Sequence, residues 1–222
     1  MIPLEKYDTI RKIKFDQPLT QWAYEEYWEG IYADKDYLLP RIRQVKAALG
    51  LSFNRMDVVN FYQRPDISLE TKFIAAMIWG HEASEDGKRD PRGPWKLSKI
   101  FEDSVAAENA IRMASVSSLE DVTKSYNSLN KALKRCGPSF FTKHFYFLGK
   151  ASGKNEYPVI FDDRVARGLV KLSSPTSIAL DMVSFSAATK PEAYRRYLDF
   201  VFDQASTIKC KPDQIEYYLF TL

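Results

Sequence analysis

Apolar residues recur every three or four positions along much of this chain, which is the spacing of an amphipathic α-helix. The pattern is clearest between Leu119 and Cys136, and Ser117 and Glu120 have the spacing of a capping box at its start. A second clear run covers Tyr194–Ala205, behind Thr189 and Glu192 at capping-box spacing and with Pro191 in the first turn. Both runs predict helices.

Weaker periodicity predicts further helices over about residues 19–32, 38–49, 54–63, 68–80, 104–114, 142–150, 163–171 and 212–220. Residues 82–94 and 173–190 lack this periodicity and are interpreted as loops. The apolar run Val159–Phe161 follows a proline and is interpreted as a short extended connector. The sequence therefore predicts an all-α fold, with residues 1–222 in one compact domain.

Composition narrows the class of protein. The chain has 222 residues, of which 45% are apolar and 14% aromatic, so it is long enough to bury a core. No stretch approaches the ~18 apolar residues of a membrane span, and residues 1–15 mix charged with apolar side chains, unlike a signal peptide. We expect a cytoplasmic protein that does not bind membranes.

Cysteine and histidine are too rare for most metal centres. Cys136 and Cys210 are the only cysteines, and His81 and His144 the only histidines. A disulfide framework, an iron–sulfur cluster and a zinc site supplied by this chain are therefore all disfavoured. We expect chemistry that needs no metal and no cofactor.

Positive charge is concentrated in one segment. The formal net charge is only +3, but residues 131–155 contain six cations and no acidic residue. These cations are Lys131, Lys134, Arg135, Lys143, Lys150 and Lys154. We expect an anionic partner at this segment.

The same segment contains a candidate nucleophile. Cys136–Phe141 is predicted to be a tight turn, whose following helix would present free backbone N–H groups to phosphate. Lys143 is predicted in the first turn of that helix, where the helix dipole and neighbouring phenylalanines would lower the pKa of its amine. Such an amine can attack the C1′ carbon of a nucleotide sugar and form a Schiff base. The alternative is a solvated surface lysine.

A candidate carboxylate follows nineteen residues later. Asp162 is predicted at the N-cap of a helix, where backbone N–H groups would keep it ionised and able to stabilise a cationic sugar. Asp163 is the neighbouring rival for that role, and a simple helix cap is the alternative function of Asp162.

The run Gly137–Lys143, followed by Asp162 within Pro158–Val165, resembles the helix-hairpin-helix (HhH-GPD) glycosylase superfamily, in particular its 8-oxoguanine glycosylase-like branch. The hairpin and catalytic segment covers about residues 117–170. The resemblance implies a two-lobed helical fold with a cleft between the lobes. It also implies that Lys143 is the Schiff-base nucleophile and Asp162 the catalytic carboxylate. The usual Leu-Pro-Gly-x-Gly hairpin is replaced here by Cys136–Ser139, which bears on how phosphate is bound.

The resemblance implies a DNA glycosylase and β-lyase of base excision repair. It would act as a monomer on double-stranded DNA and excise an oxidised purine, 8-oxoguanine first of all. The residues expected to contact the DNA backbone are Gly137, Ser139, Thr142, Lys134 and Arg135.

The base would be held by aromatic side chains. Trp79 and His81 are candidates because they end a helix before the charged loop, although Trp79 also fits a core position and His81 a helix C-terminal cation. Phe220 is a candidate because the resembling family uses its last helix near the base. His144 should point away from the site, one helical step from Lys143.

Two other functions fit the same residues. A non-catalytic helix-hairpin-helix module would bind DNA or a protein without releasing a base. A glycosylase-like enzyme of a prokaryotic antiviral defence system would act on a different base or nucleotide.

Overall fold

The computed structural model describes residues 1–15, 29–30, 32, 35–81, 92–117, 121–172, 178, 180–181 and 190–222. A short 3-10 turn, Leu4–Lys6, precedes the first helix. The helices are α1 (Tyr7–Arg11), α2 (Leu38–Leu49), α3 (Arg55–Gln63), α4 (Leu69–Trp79), α5 (Arg92–Ile100), α6 (Ser104–Ser117), α7 (Val122–Ala132), α8 (Pro138–Ala151), α9 (Asp163–Lys171), α10 (Lys190–Ile208) and α11 (Pro212–Thr221). Because the described residues contain no strand, the predicted all-α class is confirmed.

Two helices that are apolar on nearly every side, α4 and α8, form the centre of the molecule. Residues Phe73–Ile78 of α4 are almost completely buried, as are Phe141 and Phe145–Phe147 of α8. The two helices pack against each other, and α3 packs against both. A helix without a polar face has to be enclosed by others, so the start of α8 is held in place by the core.

Helices α9 and α11 approach each other very closely. A Cβ atom added at Gly168 of α9 would overlap the backbone carbonyl of Leu219 in α11, so only glycine fits there. This contact places the start of α9 beside the side chains of the last helix.

A buried carboxylate anchors α11 to α8. Asp213 is fully buried and accepts hydrogen bonds from the hydroxyls of Tyr146 and Tyr157, at 3.0 and 2.9 Å. Lys150 forms an ion pair with the same carboxylate at 2.5 Å. Lys150 is therefore a structural cation, and the exposed charge of the basic segment is carried by Lys131, Lys134, Arg135 and Lys154.

Several predicted helix boundaries need correction. The helix predicted from the capping box at Ser117 begins at Val122, where the Asp121 side chain accepts from the backbone N–H of Lys124 at 3.0 Å. Helix α8 begins at Pro138, four residues before the predicted start, because proline is well suited to the first helical position.

The other predicted helices and loops agree with the structure to different extents. Helices were expected and are found over 38–49 and 163–171. Helix α5 was not predicted and overlaps the end of the predicted loop 82–94, whose other residues lie outside the described part of the chain. Most of the predicted helix 19–32 and most of the predicted loop 173–190 also lie outside it. Within the described ranges, no helix combines the length and apolar character needed to cross a membrane.

Candidate active site

A cleft of about 560 Å³ opens where the C-terminal end of α4, the first turns of α8, the start of α9 and the helix α11 meet. All five residues predicted for catalysis or base binding line this one cleft: Lys143, Asp162, Trp79, His81 and Phe220. These residues come from distant parts of the chain. The fold brings them together, while the roles predicted for them remain predictions.

Lys143 lies in the second turn of α8, and its side chain is only 7% exposed. The amine donates a hydrogen bond to the backbone carbonyl of Ser139 and lies 5.5 Å from the centre of the Phe140 ring. The prediction of a first-turn position is wrong, because α8 starts earlier than the sequence indicated. The field of a helix end falls off within the first turn, so the helix dipole acts only weakly on an amine in the second turn. The main feature of the environment of this lysine is therefore its burial.

A glycine shapes the path of the lysine side chain. Gly80, at the end of α4, lies so close that a Cβ atom there would be 2.7 Å from Cδ and 2.8 Å from Cε of Lys143. The absence of a side chain at this position makes room for the lysine inside the cleft.

Asp162 is the N-cap of α9, as predicted. Its Oδ1 atom accepts hydrogen bonds from the backbone N–H groups of Arg164 and Val165, both at 3.0 Å. Among the described residues, the structure gives no hydrogen bond to the second oxygen, Oδ2. Asp163 also lines the cleft but is the exposed first residue of the helix. The cap therefore fixes the orientation of Asp162 and not that of its neighbour.

Aromatic rings form much of the cleft wall. Trp79 is 5% exposed and packs edge-to-face on Phe147, so it belongs to both the core and the cleft. The His81 ring stacks on Phe140, with 4.6 Å between ring centres and 24° between ring planes. Its Nδ1 atom lies 2.6 Å from the Met77 carbonyl oxygen and therefore carries a proton. A wall of this kind suits a flat ring as ligand.

The last helix contributes a second aromatic surface. The rings of Tyr217 and Phe220 are nearly parallel, with their centres 6.1 Å apart and an angle of 19° between their planes. The guanidinium of Arg164, on α9, lies 4.8 Å from the centre of the Phe220 ring. Phe220 was predicted here, whereas Tyr217 and Arg164 were not.

The cleft also contains a buried ion pair that the sequence did not reveal. Arg55 of α3 and Glu216 of α11 are 4% and 1% exposed, and Nη1 of Arg55 lies 2.6 Å from Oε2 of Glu216. Burial raises the pKa of the Glu216 carboxyl, and the adjacent guanidinium opposes that shift. The two residues are 161 positions apart, so no local sequence pattern could have indicated their contact.

The residues predicted to contact the DNA backbone divide into two groups. Gly137 is the N-cap of α8, Ser139 lines the cleft, and Lys134 and Arg135 are exposed in the turn between α7 and α8. Arg135 has a left-handed backbone, with φ of 63°, and its guanidinium lies 5.5 Å from the centre of the Trp95 ring.

Thr142 does not belong with them, and that prediction needs correction. Its side chain is fully buried, and its hydroxyl donates to the Pro138 carbonyl at 2.6 Å. The same oxygen accepts from the backbone N–H of Phe161 at 3.1 Å. With both hydrogen-bonding roles used inside the protein, the hydroxyl is not available to a phosphate.

His144 points away from the cleft, as predicted. It is fully buried, and its Nδ1 atom lies 2.8 Å from the Tyr62 hydroxyl. Its Nε2 atom lies 2.9 Å from the Ser115 hydroxyl, which itself donates to the Ile111 carbonyl. Because the Ser115 hydroxyl already donates to a carbonyl, Nε2 must be the donor in the bond between them. Burial lowers the pKa of the imidazole to about 3, so the ring is neutral and Nδ1 accepts from the Tyr62 hydroxyl.

A family model described as "Putative 8-oxoguanine DNA glycosylase OGG-like protein" matches residues 17–220, which is nearly the whole chain. Comparisons with curated proteins and with solved structures returned no match.

Proposed function

We propose that this chain, which belongs to the 8-oxoguanine DNA glycosylase OGG-like family, is a DNA glycosylase and AP lyase acting on an oxidised purine, 8-oxoguanine first of all. Membership of the family confirms the resemblance to the 8-oxoguanine glycosylase-like branch. The proposal depends on one observation, which is that Lys143 and Asp162 line the same aromatic cleft. The substrate would be double-stranded DNA, bound by a monomer in base excision repair.

The cleft suits a base that has left the helical stack. Extruding a base costs a few kcal/mol, which contacts with aromatic faces inside the protein offset. Trp79, His81, Phe140 and Phe220 supply such faces around about 560 Å³, a space that accommodates a purine. The sugar of the extruded nucleotide would then lie near Lys143.

In the first step, the unprotonated amine of Lys143 attacks C1′ of that sugar. The Nζ–C1′ bond forms as the C1′–N9 bond breaks, and the electron pair of the broken bond leaves with the base, which takes up a proton. The attached nitrogen loses a proton, and the C1′–O4′ bond opens with a proton delivered to O4′. The product is a Schiff base between Lys143 and the opened sugar.

In the second step, the Schiff base makes the C2′ proton acidic. Loss of this proton and departure of the 3′ phosphate, with the electron pair of its C–O bond, cleave the strand. Asp162 assists the first step because its fixed negative charge stabilises the positive charge that develops on the sugar. Its Oδ2 atom is the oxygen proposed to face the sugar.

The exposed turn before α8 is proposed to bind the phosphate backbone. Lys134 and Arg135 are exposed there, and Ser139 carries a backbone N–H near the start of the helix. Lys134 also has Glu102 within 3.7 Å, at a highly exposed position where the ion pair contributes little.

Base release and borohydride trapping test the proposal together. A duplex containing one 8-oxoguanine is incubated with the protein, and borohydride is added to reduce any Schiff base. We expect release of 8-oxoguanine and a covalent protein–DNA adduct, and we expect Lys143→Gln to form no adduct. The matched control is Lys96→Gln, because Lys96 lines the same cleft with its amine 4.5 Å from the centre of the Phe140 ring. That variant should trap DNA normally.

Salt-dependent DNA binding without base release from any of a panel of lesion duplexes would contradict the proposal. Such a result would favour a non-catalytic DNA-binding module. An undiminished adduct in Lys143→Gln would remove Lys143 from the mechanism.

A further inference from the structure

One wall of the cleft carries a pair of opposite charges that the chemistry above does not use. Arg55 and Glu216 are almost completely buried, line the cleft and bind each other through two contacts, at 2.6 and 3.4 Å. The rings of Phe15, Trp79 and Tyr146 surround the guanidinium, with ring centres 4.8, 5.2 and 5.1 Å from its carbon atom.

Stability alone does not account for this pair. Removing two charges from water is costly, and apolar residues of similar volume in place of a buried ion pair often leave a protein equally or more stable. The hydrogen bonds in this wall are also incomplete. Among the described residues, neither Nε of Arg55 nor Nε1 of Trp79 has a hydrogen-bond partner, although both atoms are buried. Unsatisfied buried donors are rare in native proteins and call for an explanation.

The charges of the wall indicate the class of ligand. A guanidinium beside a carboxylate offers donors and acceptors next to each other, with little net charge. A phosphate would be attracted by Arg55 but repelled by Glu216, so the pair suits a neutral group that itself has an acceptor beside donors. Guanine and 8-oxoguanine have this pattern, because carbonyl O6 lies beside N1–H and the 2-amino group on one edge of the ring.

We infer that Arg55 and Glu216 read this edge of the extruded base. Glu216 accepts hydrogen bonds from N1–H and the 2-amino group, and Arg55 donates to O6, while Trp79 and Phe220 contact the ring faces. The inference rests on the proposed function for the presence of a base in the cleft. It assigns recognition of guanine-type bases to two residues that take no part in bond breaking.

Binding measurements test base reading separately from catalysis. The starting protein is Lys143→Gln, which leaves the duplex intact. Its affinity is measured for two duplexes that differ only in the lesion, 8-oxoguanine or 8-oxohypoxanthine, the second of which lacks the 2-amino group. We expect tighter binding of 8-oxoguanine by about 10-fold or more, because a hydrogen bond to a carboxylate is lost with the amino group.

The readout is the ratio of the two affinities, 8-oxoguanine over 8-oxohypoxanthine. Adding Glu216→Gln should lower this ratio to about three or less, since the amide has a single acceptor oxygen and no charge. A purely structural role would weaken binding of both duplexes equally and leave the ratio unchanged, which would overturn the inference. A ratio near one in the Lys143→Gln protein itself would also overturn it.

Two further variants separate a loss of base reading from a general loss of folding or stability. Replacing the pair by Arg55→Met and Glu216→Leu avoids a lone buried charge, and this protein should fold and have a ratio near one. Glu108→Gln breaks a different arginine–glutamate pair, Arg41 and Glu108 at 3.4 Å, which does not line the cleft. It should leave the ratio unchanged. Borohydride trapping by the wild-type protein tests the proposed function independently of these binding measurements. The proposed function and the inference about Arg55 and Glu216 can therefore fail separately.

Discussion

The Thr142 hydroxyl accepts a hydrogen bond from the backbone N–H of Phe161, at 3.1 Å, inside the core. Thr142 immediately precedes Lys143, and Phe161 immediately precedes Asp162. This bond therefore ties the helix that carries the proposed nucleophile to the connector that carries the proposed carboxylate.

Thr142→Val is expected to impair catalysis through this link. It keeps the shape of the side chain but leaves the Phe161 N–H without its partner, at a cost of about 1–3 kcal/mol in the free energy of unfolding. A shift of about 1 Å between the catalytic groups would lower the single-turnover rate of base release by up to about 100-fold. Thr142→Ser, which retains the hydroxyl, should preserve most of that rate. Equal rates in the two variants would remove Thr142 as a positioning residue.

Gly80→Ala is expected to disable the site while leaving the fold stable. The backbone of Gly80 is helical, with φ of −76°, so alanine fits the backbone conformation. Its methyl group would collide with the flexible part of the Lys143 side chain and displace the amine. We expect a loss of about 100-fold in borohydride trapping rate, with a melting temperature close to that of the wild-type protein.

Gly30→Ala is the matched control for this substitution, because no atom of the described residues lies within 4 Å of the position of the added methyl group. A Gly80→Ala protein that traps DNA as fast as the Gly30→Ala protein would contradict the geometry proposed for Lys143.

Asp162→Asn distinguishes the role of this residue as the N-cap of α9 from the role of its negative charge. Asparagine caps helices about as well as aspartate, so Asp162→Asn should leave the stability nearly unchanged. Without the negative charge, the rate of base release should fall by about 100–1000-fold. Asp163→Asn is the matched control and should retain the rate. The reverse order of the two rates would transfer the catalytic role to Asp163.

The sequence predicted the parts of the site that local patterns describe. Lys143 and Asp162 each lie near the start of a helix, and helix starts have recognisable signals. Thr142 was misassigned because a position next to a turn does not reveal which way a side chain points. The pair of Arg55 and Glu216 was missed because only the tertiary fold brings α3 and α11 together. Helix α5 was missed because Gly93 and Pro94 resemble helix breakers, whereas both lie in its first turn.

Buried His144 should make stability depend on pH. Burial, with a smaller contribution from the charge of Lys72, lowers the pKa of this imidazole to about 3, against an ordinary value of about 6.5 in the unfolded chain. The unfolded state therefore binds a proton more readily, and the stability present above pH 6.5 is lost as the pH falls from there towards 3.

The expected loss from this one group is about 2 kcal/mol between pH 7 and pH 5, measured by urea unfolding. The comparison is with His144→Asn, which has no titrating group at this position. The variant should be less stable at pH 7 but should lose less stability on acidification. Parallel losses in the two proteins would mean that His144 is not the group that titrates.

We propose that the nitrogen of Lys143, and no other, bonds to the sugar. The most direct measurement is to trap the wild-type protein on a duplex containing 8-oxoguanine with borohydride, digest both components and locate the modified peptide by mass spectrometry. We expect the remnant of the sugar to be attached to Lys143. Attachment to Lys96, which lines the same cleft, or to any other amine of the chain would contradict it.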